Sequence, residues 1–232
     1  MTQASAGVTL KILCSNGMHG AMAELGPQFE RASGHKLDFT FDTGVGFNER
    51  IARGERGDVA IITVPILQKL AGEGITNPAR ALARSGAGIG VRAGAAKPDI
   101  GSVDAFKRAL LAAKSITFTR QGASGMYFAG LIERMGIAAA IRAKATTPDG
   151  GLVGEIVVAG KAEMAVQQIP ELKAVAGIDV VGPFPAEVQV YTDMAAATFT
   201  SAPHAAAAQA LLEFLASPAA RRIYADKGME AV

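Results

Sequence analysis

Short apolar runs alternate with helical patterns along the 232 residues, and this alternation constrains the chain most. Val8–Cys14 reads as a strand. Ala21–Ala32 reads as a helix, because Met22, Leu25 and Phe29 recur at spacings of three and four. Leu37–Phe41 alternates as a half-buried strand. Gly46–Arg53 is predicted as a short helix ended by Gly54. Val59–Thr63 is a strand of apolar and β-branched residues, the composition of a central parallel strand. Ile66–Ala71 is helical again. A β-α-β-α-β order implies a parallel sheet with right-handed crossovers.

A second series follows. Strands are expected at Ala87–Arg92, Ser115–Thr119 and Ala162–Gln167. Helices are expected at Val103–Ala113 (capped by Ser102), Met126–Met135 and Val153–Ala159. Late strands at Val188–Tyr191 and Ala195–Thr200 precede helices at Ala205–Ala216 and Ala219–Lys227. The Pro-rich Gly182-Pro183-Phe184-Pro185 reads as a connection back between lobes. The length suits two lobes of about a hundred residues each. The expected layout places residues 1–85 and 193–232 in one lobe and 86–192 in an inserted second lobe.

Bulk numbers exclude several functions. Lys+Arg is 23 against Asp+Glu 21, with no basic run to hold a nucleic acid. Aromatics make up 6% with no Trp, too few for a stacking platform. The one cysteine, Cys14, rules out a disulfide framework and reads as a small core residue. The three histidines (His19, His35, His204) are widely spaced and form no zinc motif. No metal or cofactor is expected. No apolar run reaches the roughly 18 residues of a membrane span. The opening MTQASAGVTLKIL lacks a basic segment followed by an apolar one. The expected location is therefore periplasmic if a leader was removed, and cytoplasmic if this is the full native chain.

Ligands of open parallel sheets lie beyond the carboxyl ends of the strands, where helix N-termini offer free N–H groups to anions. Four such junctions are rich in Gly, Ser or Thr. The first is Ser15-Asn16-Gly17-Met18-His19. Gly17 lets backbone approach a ligand, and Ser15, Asn16 and His19 supply donors. The second is Asp42-Thr43-Gly44-Val45-Gly46, suited to a backbone-lined anion nest. The third is Thr119-Arg120-Gln121-Gly122-Ala123-Ser124-Gly125. Here Ser124 and Gly125 open a helix, and Arg120 is a bidentate partner for a carboxylate. The fourth is Pro148-Asp149-Gly150-Gly151, with Asp149 as an N-cap. Gln167 and Gln168 end a buried strand, where polar side chains face a cleft.

Three segments carry a family resemblance. LKILCSNGMHGAMAELGPQFERASGHKL, IARGERGDVAIIT with Gly54 and Asp58, and LLEFLASPAARRIYADKGME resemble the periplasmic molybdate-binding proteins and the wider bacterial extracellular solute-binding group. The resemblance covers nearly the whole chain. VRAGAAKPDIGSVDAFKRALLAAKSI, QQIPEL and GIDVVGPFPAEVQ are similar to a branch that includes a bacterial aconitate isomerase. The resemblance implies a two-lobed α/β fold of the type 2 periplasmic-binding kind. Each lobe is then a mainly parallel sheet flanked by helices, with the ligand cleft between lobes. The family's hydroxyl donor falls at Gly17, its second-loop donor at or near Val45, and its tyrosine at Gln167. The Ser124-Gly125 turn keeps its type. These departures favour an organic carboxylate over molybdate or tungstate, with Arg120 or Arg50 as partner.

Two functions follow. The first is a monomeric binding protein that captures a small anion for an ABC transporter permease, with no membrane insertion of its own. The second is an isomerase that shifts a double bond in a tricarboxylate. That chemistry needs a base and cations for the developing charge. His19, Glu49 and Asp149 are the candidate bases, with Arg120 and Arg50 as the cations.

Overall fold

The computed structural model describes residues 7–232. The opening residues MTQASA, which bear on the leader, lie outside that range. The chain divides into two compact units. One holds the residues up to Arg84, Asp193–Asp226 and Glu230–Val232, and the other holds Ser85–Thr192 and Lys227–Met229.

In the first unit, β1 (Thr9–Ser15), β2 (Lys36–Asp42) and β3 (Val59–Thr63) are parallel, with β1 central. The crossovers are α1 (His19–Ser33) and α2 (Gly44–Ala52), and α3 (Val64–Gly72) follows β3. β4 (Arg80–Arg92) begins here and continues into the second unit. The second unit adds α4 (Val103–Ala112), β5 (Ile116–Phe118), α5 (Ala123–Arg134), α6 (Ala138–Arg142) and β6 (Ala145–Thr146). Then come α7 (Gly154–Val158), β7 (Met164–Gln168), α8 (Ile169–Lys173) and β8 (Ile178–Pro183). There β5 pairs in parallel with β6 and β7, while β7 and β8 run antiparallel to β4. β9 (Tyr191–Thr198) returns the chain to the first unit, antiparallel to β3, and α9 (Ala205–Leu215), α10 (Pro218–Asp226) and β10 (Glu230–Ala231) complete it.

Each unit has its own core. Leu13, Phe47, Ile62, Leu67 and Phe199 pack in the first. Phe106, Ile116, Phe128, Val166 and Phe184 pack in the second. The expected alternation of elements is observed, and Ser102 caps α4 through a 3.2 Å bond from Ala105 N–H. Cys14 is fully buried, and burial pushes its thiol far above the ordinary range.

Two expectations need correction, and four short elements were not expected at all. Val188–Tyr191 is not one strand: a 3-10 turn covers Ala186–Val188 and β9 opens at Tyr191. The Pro-rich stretch is not a connection between lobes. Gly182 and Pro183 close β8 inside the second unit, and Phe184 is buried in its core. α6, α8, β6 and β8 were not legible, because a single helical turn, a two-residue strand or a strand without alternating burial carries little periodicity of its own. Val180 and Val181 on β8 are only half-buried.

Asp58 ties the first unit together at 2% exposure. Its carboxylate accepts from Lys11 N–H (2.9 Å) and His204 N–H (3.0 Å), and lies 3.2 Å from His204 Nδ1. Removing a shared buried acceptor strands its donors without water. Asp58→Ala is expected to lower the free energy of unfolding by about 2–4 kcal/mol, measured by urea denaturation.

Candidate ligand-binding site

In the first unit the parallel strands β1 and β2 end side by side, with Ser15 opposite Asp42. Ser15 Oγ accepts from Gly17 N–H at 3.2 Å. Thr43 Oγ1 caps α2 by accepting from Gly46 N–H at 3.1 Å. Each hydroxyl thus spends a lone pair on its own turn and keeps its proton for an outside acceptor. The helix starts two residues earlier than the pattern predicted. Gly44 and Val45 are therefore its first turn, where N–H groups have no intrahelical partner. A Cβ at Gly46 would run into the Asp42 carboxylate, which would have to swing away from Thr43 N–H and Arg50 to make room. Asn16 and Gly17 form a 3-10 turn ahead of α1. His19 opens α1 with its ring centroid 4.6 Å from that of Phe41 on β2.

In the second unit three strand ends are joined by hydrogen bonds. Arg120 N–H donates to Pro148 O (2.7 Å), and Gln121 N–H to Asp149 O (3.1 Å). This welds the turn after β5 to the turn after β6. Gln167, at the end of β7, accepts from Val153 N–H (3.0 Å) and donates to Gly151 O (2.8 Å). Gln168 Oε1 accepts from Ser85 Oγ.

α5 opens with Gly122 as N-cap and no side chain capping it. Gly125 folds back so closely that a Cβ would sit 1.8 Å from the Thr119 carbonyl oxygen. Ser124, in this first turn, is 2% exposed, and its Oγ has no hydrogen-bond partner. A buried hydroxyl without a partner costs roughly 1–3 kcal/mol. Together with the free N–H groups of the first turn, it forms a donor set suited to an oxyanion.

The charged candidates are placed differently from expectation. Arg120 is paired with Asp149, with an Nε–Oδ1 distance of 2.8 Å. Both side chains are more than half exposed. Asp149 is therefore not an N-cap, since Val153 holds that place on α7. Arg50 donates to Asp42 (2.8 Å) and Glu55 (3.0 Å), and these acceptors hold its proton more tightly. Glu49 is 61% exposed on the outer face of α2, 4.0 Å from Arg53. Gln167 is 1% exposed with both ends of its amide engaged. It is a clamp within the unit rather than an open donor. Among the described residues, no group of three or more His, Cys, Asp or Glu is placed to hold a metal ion.

Two residues escaped the sequence reading. One is Ser85, which orients Gln168. The other is Glu171, 7% exposed, whose carboxylate takes Gln167 Nε2 at 3.1 Å and the backbone N–H of Gln168. Burial raises its pKa from 4.5 to about 7, against the pull of those two donors. The signal was present in QQIPEL. Gln168 is the N-cap of α8, and a Glu three residues later reaches back to the cap N–H as in a capping box.

With this geometry established, comparison places the chain. Residues 10–230 match the family model described as bacterial extracellular solute-binding protein, and the chain belongs to that family. It is 38% identical over 232 residues to a protein named aconitate isomerase from Pseudomonas sp, covering 97% of this chain and 88% of the relative. The periplasmic molybdate-binding protein of Azotobacter vinelandii superposes with a TM-score of 0.79 at 16% identity, covering 95% and 98% of the two chains. PEB3 of Campylobacter jejuni, in its L-phospholactate-bound structure, gives 0.70 at 15% identity over 95% and 99%. Likenesses at that identity show the fold, which is of the periplasmic-binding kind.

Glu171 makes stability depend on pH. Its folded pKa lies above the ordinary value, so the protonated form is the one folding favours. That contribution is fully present below about 4.5 and is lost as pH rises through about 7. Glu171→Gln is expected to raise the melting temperature at pH 8 and to leave it nearly unchanged at pH 4.5, by calorimetry at both values.

Proposed function

We propose that this protein captures a small organic anion carrying two or more carboxylates. Its grip comes from helix N-termini and turn hydroxyls rather than from a free arginine. The observation that carries the reading is the start of α5. There a buried Ser124 Oγ without a partner lies among first-turn N–H groups. The family membership supports a solute-binding role. The aconitate-isomerase relative supports a tricarboxylate as the class of ligand. At the strand ends of the first unit the candidate contacts are Ser15, Asn16, Gly17, His19, Thr43, Gly44 and Val45. At those of the second unit they are Ser124, Gly125 and Gln168. Arg120 acts through its pair with Asp149, and Gln167 holds the turn behind. In this role the protein works as a periplasmic monomer that hands its solute to an ABC transporter permease.

A panel of ligands tests this by thermal shift and calorimetry, since a ligand bound only to the native state raises its melting temperature. Cis-aconitate, trans-aconitate and citrate are expected to raise it more than molybdate does. Ser124→Ala is expected to leave the unliganded protein as stable or more stable, while weakening the carboxylate by about 1–2 kcal/mol. Molybdate bound more tightly than every carboxylate would defeat the proposal.

The relative named aconitate isomerase favours a second reading, turnover of the captured aconitate. A base removes a proton from the methylene carbon, and the charge spreads through the alkene into the conjugated carboxylate. A proton then returns at the other end of the allyl system. His19 is the base best placed for this. Glu49 is exposed, and Asp149 is engaged with Arg120. Incubation with cis-aconitate, followed by chromatography, is expected to yield trans-aconitate at a rate that His19→Gln lowers at least a hundredfold. An unchanged cis-to-trans ratio after prolonged incubation would leave capture alone.

A further inference from the structure

Glu171 is a buried carboxyl that neither the capture reading nor the isomerase reading uses. It lies behind the turns of the second unit, one hydrogen bond removed from them. Its Oε1 takes Gln167 Nε2 at 3.1 Å. The same amide nitrogen donates to Gly151 O at 2.8 Å, and its oxygen receives Val153 N–H at 3.0 Å. The Gln167 amide can satisfy all three only in one orientation, with oxygen toward Val153 and nitrogen toward Gly151 and Glu171. The Gly151–Val153 turn follows β6 and continues from Pro148-Asp149, which is bonded to the Arg120-Gln121 turn ahead of α5.

The forces on this carboxyl are burial and two donors. The charged groups of the surrounding elements have other positions or partners. Lys173 on α8 is exposed. On β8, Asp179 accepts from Gly94 N–H at 3.2 Å. On β4, Arg92 donates to the carbonyl of Val158. Lys227, in the segment packed on α8, has an interaction of its own, Glu155 on α7 is exposed, and β7 carries no charge.

We infer that Glu171 is a proton-linked positioning residue. It holds Gln167, and through it the Gly151–Val153 turn, and it takes up a proton when an anion binds at the turns of this unit. The inference rests on the capture reading above. Its physical basis is Coulombic. A second negative charge at the turns disfavours the ionised carboxyl behind them, so binding raises its proton affinity. By reciprocity, protonation of Glu171 tightens anion binding. A carboxyl that titrates near neutral pH makes this coupling visible in that range.

The test is calorimetric titration of trans-aconitate into the wild-type chain and Glu171→Gln, so that any proton exchange by the ligand itself is common to both proteins. Titrations run between pH 6.5 and 8 in buffers of different ionisation enthalpy. The wild type is expected to take up a fraction of a proton per ligand, and its Kd to weaken roughly three- to tenfold across the range. Glu171→Gln, whose amide oxygen still accepts both donors, is expected to bind with a much flatter pH profile and reduced proton uptake. Equal proton uptake in the two proteins overturns the inference and leaves capture standing. A wild type that binds no carboxylate overturns both. Should Glu171→Gln fail to fold, wild-type uptake decides: its absence overturns the inference. Its presence, with a ligand-induced shift of the Glu171 carboxyl ¹³C titration to higher pH, supports it.

Discussion

Parallel strands end at one edge of their sheet, and the candidate site depends on that constraint. A crossover helix must begin where its strand stops, so the donor-rich first turns of successive helices gather at the same edge. β1 and β2 do this in the first unit, with Ser15 and Asp42 in register. β5, β6 and β7 do it in the second, where backbone bonds link one turn to the next. No side chain has to be recruited from afar to gather hydrogen-bond donors at such an edge. The peptide groups supply them, and Ser15, Thr43 and Ser124 add hydroxyls.

Charge is handled in a different way. Arg50 and Arg120, the cations with the most obvious claim on a carboxylate, both have acidic partners from their own unit. The ion pair of Arg120 is exposed, and such pairs contribute little to stability. It still neutralises the guanidinium at short range. What remains for a ligand is oriented N–H and O–H groups. These discriminate by geometry, because they need no counter-charge and suffer no competing partner. A buried Glu171 behind such a surface makes its electrostatics adjustable, since the carboxyl sits near its own midpoint at neutral pH.

Much of the fold was legible because its signals are local. Met22, Leu25 and Phe29 announce α1, and the apolar run Val59–Thr63 announces β3. Ser102 predicts its own capping bond. The turns were legible for the same reason: a Thr-Gly or Ser-Gly step ahead of a helix is a local pattern. Boundaries slipped where a cap was misplaced, as at Thr43, whose hydroxyl starts α2 at Gly44 rather than Gly46. The short elements α6, α8, β6 and β8 slipped because they are specified by what they pack against.

The sequence by itself determined the two α/β series and the order of their longer strands and helices. Periodicity, capping chemistry and backbone sterics act within a few residues of one another. Only the tertiary structure decided that Arg120 pairs with Asp149, that Gln167 is consumed as a clamp, that Ser124 is buried without a partner and that Glu171 titrates near neutral pH. A polar side chain takes whichever partner the topology brings within about 3 Å. Partners 29 or 83 positions away, as for Arg120 with Asp149 and Ser85 with Gln168, become neighbours only once the strands have found their register.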